Sequence, residues 1–252
     1  MKFVVLLAGK GKRFGSLTKD NHKSLIKIND SFNTIKYLRY CIKDINYTEI
    51  IFLLGHCSKI LEKKLKNYFK DDLHRVKFVL VKNYKNSNNL NSIYNAKDLL
   101  VNKDFLIING DTIFPTSFIN NMIREKKSSI SIQFSQNKIE APKVFLKNNN
   151  TIEIDRYSKK KGNQKLVFKG FMTGLLFIDK KLSKLYFKEA YKLINKNLDA
   201  VFYDPVIGIN KKYINFTHQS GIWTDFDEIK ERARVRIILE TILKLKKFNY
   251  LF

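Results

Sequence analysis

Short apolar runs at Lys2–Leu7, Glu49–Leu54, Val76–Val81 and Phe105–Ile108 alternate with segments of helical periodicity. Each run is a few residues of Val, Ile, Leu and Phe, the pattern of a strand buried on both faces. Between them, Thr34–Lys43, Ser58–Phe69 and Asn91–Leu100 carry apolar residues at helical spacing. Parallel strands need a crossover of about a dozen residues or more, which a helix supplies. The alternation therefore predicts a parallel sheet with helices on both faces. Ile130–Phe134 continues the series. After about residue 140, Lys143–Leu146, Thr151–Asp155, Lys165–Phe168 and Phe171–Ile178 read as shorter strands that extend the sheet in antiparallel fashion. Lys181–Asn195 returns to helix, Tyr213–Thr217 to strand, and Asp227–Lys247 is a long closing helix. No repeat or linker interrupts the pattern. One continuous α/β domain over 1–252 is expected, with halves at about 1–135 and 136–252.

A hydrophobic content of 44%, with 20 Phe and 12 Tyr, supplies an ample core. Lys and Arg number 48 against 23 Asp and Glu, a net charge of +25. Such a balance attracts anionic partners, whether nucleotide, phosphate, nucleic acid or membrane surface. A compositional bias toward Lys, Asn and Ile accounts for it equally well. The N-terminal apolar run is too short for a signal core or a span, and no segment approaches 18 uncharged apolar residues. Cys41 and Cys57 match no disulfide or zinc spacing, and the four histidines are scattered. A soluble, reducing cytoplasmic setting is expected.

The first strand runs into Leu7-Ala8-Gly9-Lys10-Gly11-Lys12-Arg13-Phe14-Gly15. Glycines at 9 and 11 permit a tight turn and close approach to a phosphate. Arg13 can grip phosphate oxygens in a bidentate fork. The spacing is not that of a Walker loop, and Phe14 stands where a dinucleotide fingerprint has its third glycine. An ordinary strand-to-helix turn on a Lys-rich surface is the alternative.

Asp111 follows the buried strand Phe105–Ile108, at the sheet edge where α/β proteins bind ligands. Mg²⁺ takes one or two carboxylates together with substrate phosphates, so Asp111 is a candidate metal ligand. A turn or helix-capping aspartate is the alternative. A second acidic site is Trp223-Thr224-Asp225-Phe226-Asp227-Glu228. In an extended segment Asp225 and Asp227 face the same side and can converge with Asp111. Asp227 can equally cap the following helix, with Glu228 and Glu231 in its first turn. Asn88, Asn89 and Ser92, in the polar stretch Asn83–Lys97, offer hydrogen bonds to a base or ribose, or cap a helix.

The strand, the glycine loop with Arg13 and the segment Thr18…Lys23-Ser24-Leu25-Ile26 together resemble the start of the nucleotidyltransferases that act on sugar phosphates and related phosphates. His22 stands where that family usually has proline. The Asn109-Gly110-Asp111 stretch and the late Trp223-x-Asp225-x-Asp227 segment are similar to two further motifs of the family. The resemblance implies a three-layer, Rossmann-like mixed sheet of the nucleotide-diphospho-sugar transferase type, with a β-rich acceptor-binding half. It implies that the loop of Leu7, Ala8, Gly9 and Gly11 wraps a nucleoside triphosphate. Arg13 and Lys23 would contact its phosphates, and Asp111 would bind Mg²⁺ with Asp225 or Asp227.

The Tyr…Asn-Asn…Ser…Ala arrangement of the middle loop is more similar to the choline-phosphate cytidylyltransferase branch, which implies CTP as donor. That branch has an acidic and aromatic segment near Asp199–Asp204. Asp199, Tyr203 and Asp204 would then hold a cationic head group by cation–π and Coulomb attraction. Alternatively Val201, Phe202 and Tyr203 belong to the core. Lys143 and Lys169 are candidate acceptor-phosphate contacts. The expected reaction is transfer of a nucleoside monophosphate, CMP from CTP, to a small phosphorylated acceptor with release of pyrophosphate. A sugar-1-phosphate acceptor and a non-catalytic nucleotide- or RNA-binding role are the alternatives.

Arg156–Lys169 holds six basic residues and no acid, a pattern of RNA or membrane binding or of a solvated loop. In the closing helix Val235, Ile238, Leu239, Ile242 and Leu245 follow helical spacing among basic residues. This fits a docked amphipathic helix or a homodimer contact better than an interfacial membrane helix. No specific nucleic-acid partner and no membrane span are expected.

Overall fold

The computed structural model describes residues 1–134, 141–155, 166–196 and 199–247. The strands are β1 (Lys2–Leu7), β2 (Glu49–Leu54), β3 (Val76–Leu80), β4 (Phe105–Asn109), β5 (Thr112–Ile113), β6 (Ser129–Gln133), β7 (Lys143–Lys147), β8 (Ile152–Asp155), β9 (Leu166–Ile178), β10 (Asn215–His218) and β11 (Thr224–Asp225). The helices are α1 (Thr34–Ile42), α2 (Ser58–Tyr68), α3 (Asn89–Tyr94), α4 (Lys97–Leu100), α5 (Thr116–Arg124), α6 (Lys180–Lys196) and α7 (Arg232–Lys247). One sheet runs in the order β10-β6-β9-β4-β1-β2-β3, with β7 on β9 and β8 on β7. The strands β4, β1, β2 and β3 pair in parallel, as do β6 and β10, while β9 is antiparallel to both its neighbours β4 and β6. A small antiparallel ribbon joins β5 to β11.

Side chains alternate across the central strands and fill two cores. Phe3, Val5, Leu7, Phe52 and Leu54 face α1, α2, α5 and α7, where Ile35, Leu61, Phe118 and Leu239 cover them. Val4, Ile51, Leu53 and Ile107 face the other side, covered by Leu90, Leu100, Tyr186 and Phe187 from α3, α4 and α6. The three layers thus follow from the two-residue strand period set against the helical period.

Two elements differ from the sequence reading. Asn91–Leu100 is not one helix but α3 and α4, because the Asn95 side chain donates to the Asn91 carbonyl at 2.8 Å and competes with the helical ladder. The two strands read at Lys165–Phe168 and Phe171–Ile178 are the single strand β9. A bulge opposite Val144 and Phe145 bends it without ending it. Its first half pairs with β7 and its second half with β4 and β6.

The closing helix docks on the sheet, with Val235, Leu239 and Ile242 buried in the first core. Lys246 stands over the Tyr40 ring at 4.4 Å, and Arg236 pairs with Glu240 at 2.8 Å. Residues 156–165 of the basic stretch lie outside the described residues. Among the described residues no helix is long and apolar enough to cross a membrane. Leu239→Ala is expected to cost about 2–5 kcal/mol of unfolding free energy in urea titration. Ile237→Ala, at a side chain 65% exposed, is expected to change it by less than about 0.5 kcal/mol. Equal effects would mean that α7 is not docked through this face.

Candidate active site

At the carboxyl edge of β1 and β4 lies a cavity of about 230 Å³. Ala8 and Gly9 of the glycine loop, Lys23, and Asn88, Asn89 and Ser92 of the middle loop line it, opposite Gly110 and Asp111. Five of the sequence candidates for nucleotide contact thus meet Lys23 and Asp111 in one concavity. Leu6, Tyr84, Ser87 and Asn109 also line it and were not among the sequence candidates for contact. Tyr84 and Ser87 lie within the same polar loop, and Asn109 directly precedes Gly110, so position alone carried a signal for them. The Leu7 side chain is a correction: it is buried in the sheet core, because it alternates with Leu6 along β1.

Glycine is required at two points of this edge. Gly11 has φ +61°, the left-handed conformation that closes the turn before the short helical segment Lys12–Thr18. At Gly110 a Cβ would overlap the Leu7 side chain and the Leu6 carbonyl. A bare Cα is what lets the chain cross the end of β1 and deliver Asp111. Gly9 differs from the sequence expectation of a turn glycine. A Cβ there would meet open space, so its bareness leaves room above the loop.

Lys23 sits on a helical turn, Lys23–Leu25, capped by His22. The His22 Nδ1 accepts from the Ser24 N–H at 3.2 Å and lies 2.7 Å from Ser24 Oγ. Burial, with the Lys23 ammonium beside it, pulls the imidazole down to about 3, while the backbone of Leu7 and Gly9 opposes the shift. The residue that replaces the expected proline therefore acts as a neutral cap and fixes the direction of Lys23. Thr34 Oγ1 donates to the Gly110 carbonyl at 2.8 Å and approaches the Ser24 carbonyl at 3.3 Å, tying the lysine turn to the Asp111 loop.

The Lys23 ammonium forms an ion pair with Asp111 and lies 3.8 Å from Asp227. Burial would lower its pKa, but Asp111, Asp227 and Asp225 outweigh that and hold it above the ordinary lysine value. Arg13 approaches Asp227 at 3.3 Å and Glu228 at 3.6 Å. The late acidic segment is anchored by β11: Asp225 pairs with Thr112 and accepts from its hydroxyl at 2.7 Å, and the Phe226 N–H donates to the Asp111 carbonyl at 2.8 Å. The helix cap read at Asp227 falls to its neighbours. Glu228 and Glu231 form a reciprocal capping box, and the Asp227 carboxylate faces the cations.

Asp111, Asp225 and Asp227 therefore gather around one ammonium. Among the described residues no three carboxylate, His or Cys side chains converge as a ready-made metal cluster. Two hard carboxylates already sharing one positive centre fit a divalent cation that completes its shell with substrate phosphates.

The proposed acceptor residues are not brought into this cavity. Tyr203 is buried against Phe202 in the second core, and the Asp204 carboxylate accepts from the Val201 N–H at 2.8 Å. The cationic cage of Tyr203 and Asp204 is thus corrected to a core turn, since Val201, Phe202 and Tyr203 serve packing. Asp199 is exposed, and its carbonyl accepts from the Asn88 amide at 3.3 Å. Lys143 and Lys169 lie on the β7–β9 ribbon, with Lys169 close enough to His218 to lower that imidazole after burial.

A family profile described as nucleotidyl transferase matches residues 2–145, more than half of the chain. The chain belongs to this family. The choline-phosphate cytidylyltransferase of Streptococcus pneumoniae is 28% identical over 130 residues, 52% of this chain and 53% of that protein, so the match spans about half of the relative's length. The solved CTP:phosphocholine cytidylyltransferase of Streptococcus pneumoniae superposes with a TM-score of 0.67 at 19% identity, covering 94% of this chain and 98% of that one. The inositol-1-phosphate CTP transferase of T. maritima gives a TM-score of 0.72 at 19% identity, with 96% and 95% covered. These likenesses establish the nucleotide-diphospho-sugar transferase fold expected from the motifs.

The neutral His22 makes a prediction about acid stability. Its folded pKa, about 3, lies below the unfolded value of 6.5. Above pH 6.5 neither state is protonated and the site costs nothing. As pH falls from 6.5 toward 3 the unfolded state alone takes up the proton, and stability drops by about 1.4 kcal/mol per pH unit. His22→Asn keeps a capping oxygen and removes this slope. Urea midpoints across that window should fall more gently in the variant, and parallel curves would refute a buried neutral imidazole.

Proposed function

We propose that the chain is a Mg²⁺-dependent cytidylyltransferase that transfers CMP from CTP to a small phosphorylated acceptor and releases pyrophosphate. The carrying observation is the Lys23 ammonium, held charged between Asp111 and Asp227 at the floor of a cavity walled by the glycine loop and by Asn88, Asn89 and Ser92. A fixed, partly buried cation beside a polar recess suits a polyphosphate with a nucleoside attached.

An acceptor phosphate is already ionised near neutral pH, so no side-chain base is needed for attack on the α-phosphorus. The chain's task is positioning and charge stabilisation. Asp111, with Asp227 or Asp225, would hold the magnesium ion, which supplies charge neutralisation and orientation to the triphosphate when bound. Lys23 presents its charge toward the cavity, oriented by the His22-capped turn. Arg13, half exposed beside Asp227 and Glu228, carries a planar fork suited to phosphate oxygens. Asn88 and Asn89 are held by backbone contacts to Asp199 and Phe202, which fixes the recess where a base would rest.

The donor reading is supported by two structural neighbours, a CTP:phosphocholine cytidylyltransferase and an inositol-1-phosphate CTP transferase, which share CTP and differ in acceptor. Those acceptors share a phosphate on a small polar alcohol. The burial of Tyr203 removes the support for a cationic head group, so the acceptor class is a small phosphorylated alcohol.

Pyrophosphate release should be faster with CTP than with UTP, dTTP, GTP or ATP across a panel of phosphorylated alcohols. A clear preference for another triphosphate overturns the donor assignment. Asp111→Ala should abolish turnover with an unchanged circular dichroism spectrum, and Lys23→Ala should lower kcat by about 10²–10³-fold. Full activity in Asp111→Ala would remove that carboxylate from the chemistry.

A further inference from the structure

A second, larger cavity of about 790 Å³ opens at the opposite edge of the sheet. Asp104 precedes β4 there, Lys126 and Lys127 precede β6, Lys180 and Lys181 begin α6, and Lys212 and Tyr213 precede β10. Asp111 lies beyond the far end of β4, whose five residues span about 17 Å. This cavity is therefore separate from the site above.

Its walls carry five lysines and two aspartates. Both carboxylates are engaged by backbone. Asp104 accepts from the Lys180 N–H at 2.7 Å, and Asp179 accepts from the N–H groups of Ser128, Lys181 and Leu182 at 3.0, 2.8 and 2.9 Å. Those bonds hold the Asp179 carboxyl below its usual pKa despite partial burial. The N-terminus of α6 is thus already capped, and the lysines are what the cavity offers. Among the described residues none of the five forms an ion pair. Some lysines elsewhere are paired, as Lys2 and Lys77 are with Glu49 and Lys66 is with Glu62. Lys126 also holds φ +49°, a backbone state that costs a side chain more than it costs glycine. Five ammonium groups from three segments against two carboxylates leave the walls of the cavity net positive, a field that attracts anions.

The concavity decides the class of partner. A flat basic face fits a lipid surface, whereas a recess of this volume matches a small ligand. Leu185 and Tyr213, 38% and 52% exposed, add apolar wall beside the ammonium groups. We propose that this cavity binds a small organic molecule carrying two or more phosphate groups, at a site distinct from the nucleotide cavity.

The test is calorimetric titration of inorganic tripolyphosphate, in EDTA at low salt, into the full chain. The unmodified protein should show two binding events, and Arg13→Ala/Lys23→Ala should retain one. Adding Lys127→Ser/Lys180→Ser/Lys212→Ser should weaken the retained event about tenfold or more. The control Lys59→Ser/Lys63→Ser/Lys64→Ser removes the same charge from the exposed face of α2 and should leave it within about twofold. Equal weakening by both triple variants means diffuse charge and overturns the site, as does a single event in the unmodified chain. Co-sedimentation with phosphatidylglycerol vesicles supplies the other arm. Vesicle capture lost in the Lys127/Lys180/Lys212 variant, without tripolyphosphate binding, makes the patch a membrane contact and overturns the proposal.

Discussion

The placement of the Lys23 ammonium among Asp111, Asp225 and Asp227 is the constraint on which the site depends. Desolvating an ammonium costs several kcal/mol unless opposite charge accompanies it. Here the compensation comes from two segments far from it in sequence. Each is anchored by its own device: the lysine turn by His22 and Thr34, Asp111 by the crossing at Gly110, and the late aspartates by the β5–β11 ribbon and the Glu228–Glu231 box. Removing one anchor would leave the charges present but misaimed, which in a desolvated site is more costly than losing a surface pair.

How much of this was legible in the sequence varies with the physics involved. Strand and helix periods gave the parallel core, because buried strands such as Phe105–Asn109 admit little but apolar residues. The motifs also singled out Arg13, Lys23 and the three aspartates, which the structure gathers at one edge of the sheet. The failures lie where one residue type serves two ends. Tyr203 beside Asp204 looks like a cation cage or a core turn, and only packing chooses between them. At Asp227 the alternative of a helix cap is closed by the structure, because Glu228 and Glu231 take that role. The unity of β9 was hidden because a bulge and a strand end share the same local signal. Tyr84 opens the middle-loop arrangement in the sequence, and its place in the cavity wall shows only in the structure.

The net charge of +25 also divides by place. Lys23 and Arg13 are few but engaged with carboxylates at the nucleotide edge. Other lysines bracket glutamates or lie over aromatic rings, as Lys246 does on Tyr40. Of the lysines at the start of β6, α6 and β10, Lys212 stands over the Tyr213 ring at 4.9 Å, and among the described residues none of the five forms an ion pair. A compositional drift scatters charge over convex faces, whereas these surround a hollow.

The β5–β11 ribbon has a consequence for how the molecule comes into being. Its two strands are separated by more than a hundred residues, Thr112 pairing with Asp225. During synthesis the sheet from β1 to β4 can assemble while the carboxylates of Asp225 and Asp227 are still unmade. Through that interval Lys23 has Asp111 as its partner without the other two, and the edge of β5 stands open. The three aspartates can therefore gather around Lys23 only once this non-local pairing forms. A chain arrested before β11 would hold the strands β1 to β4 and lack two of the three carboxylates that surround Lys23.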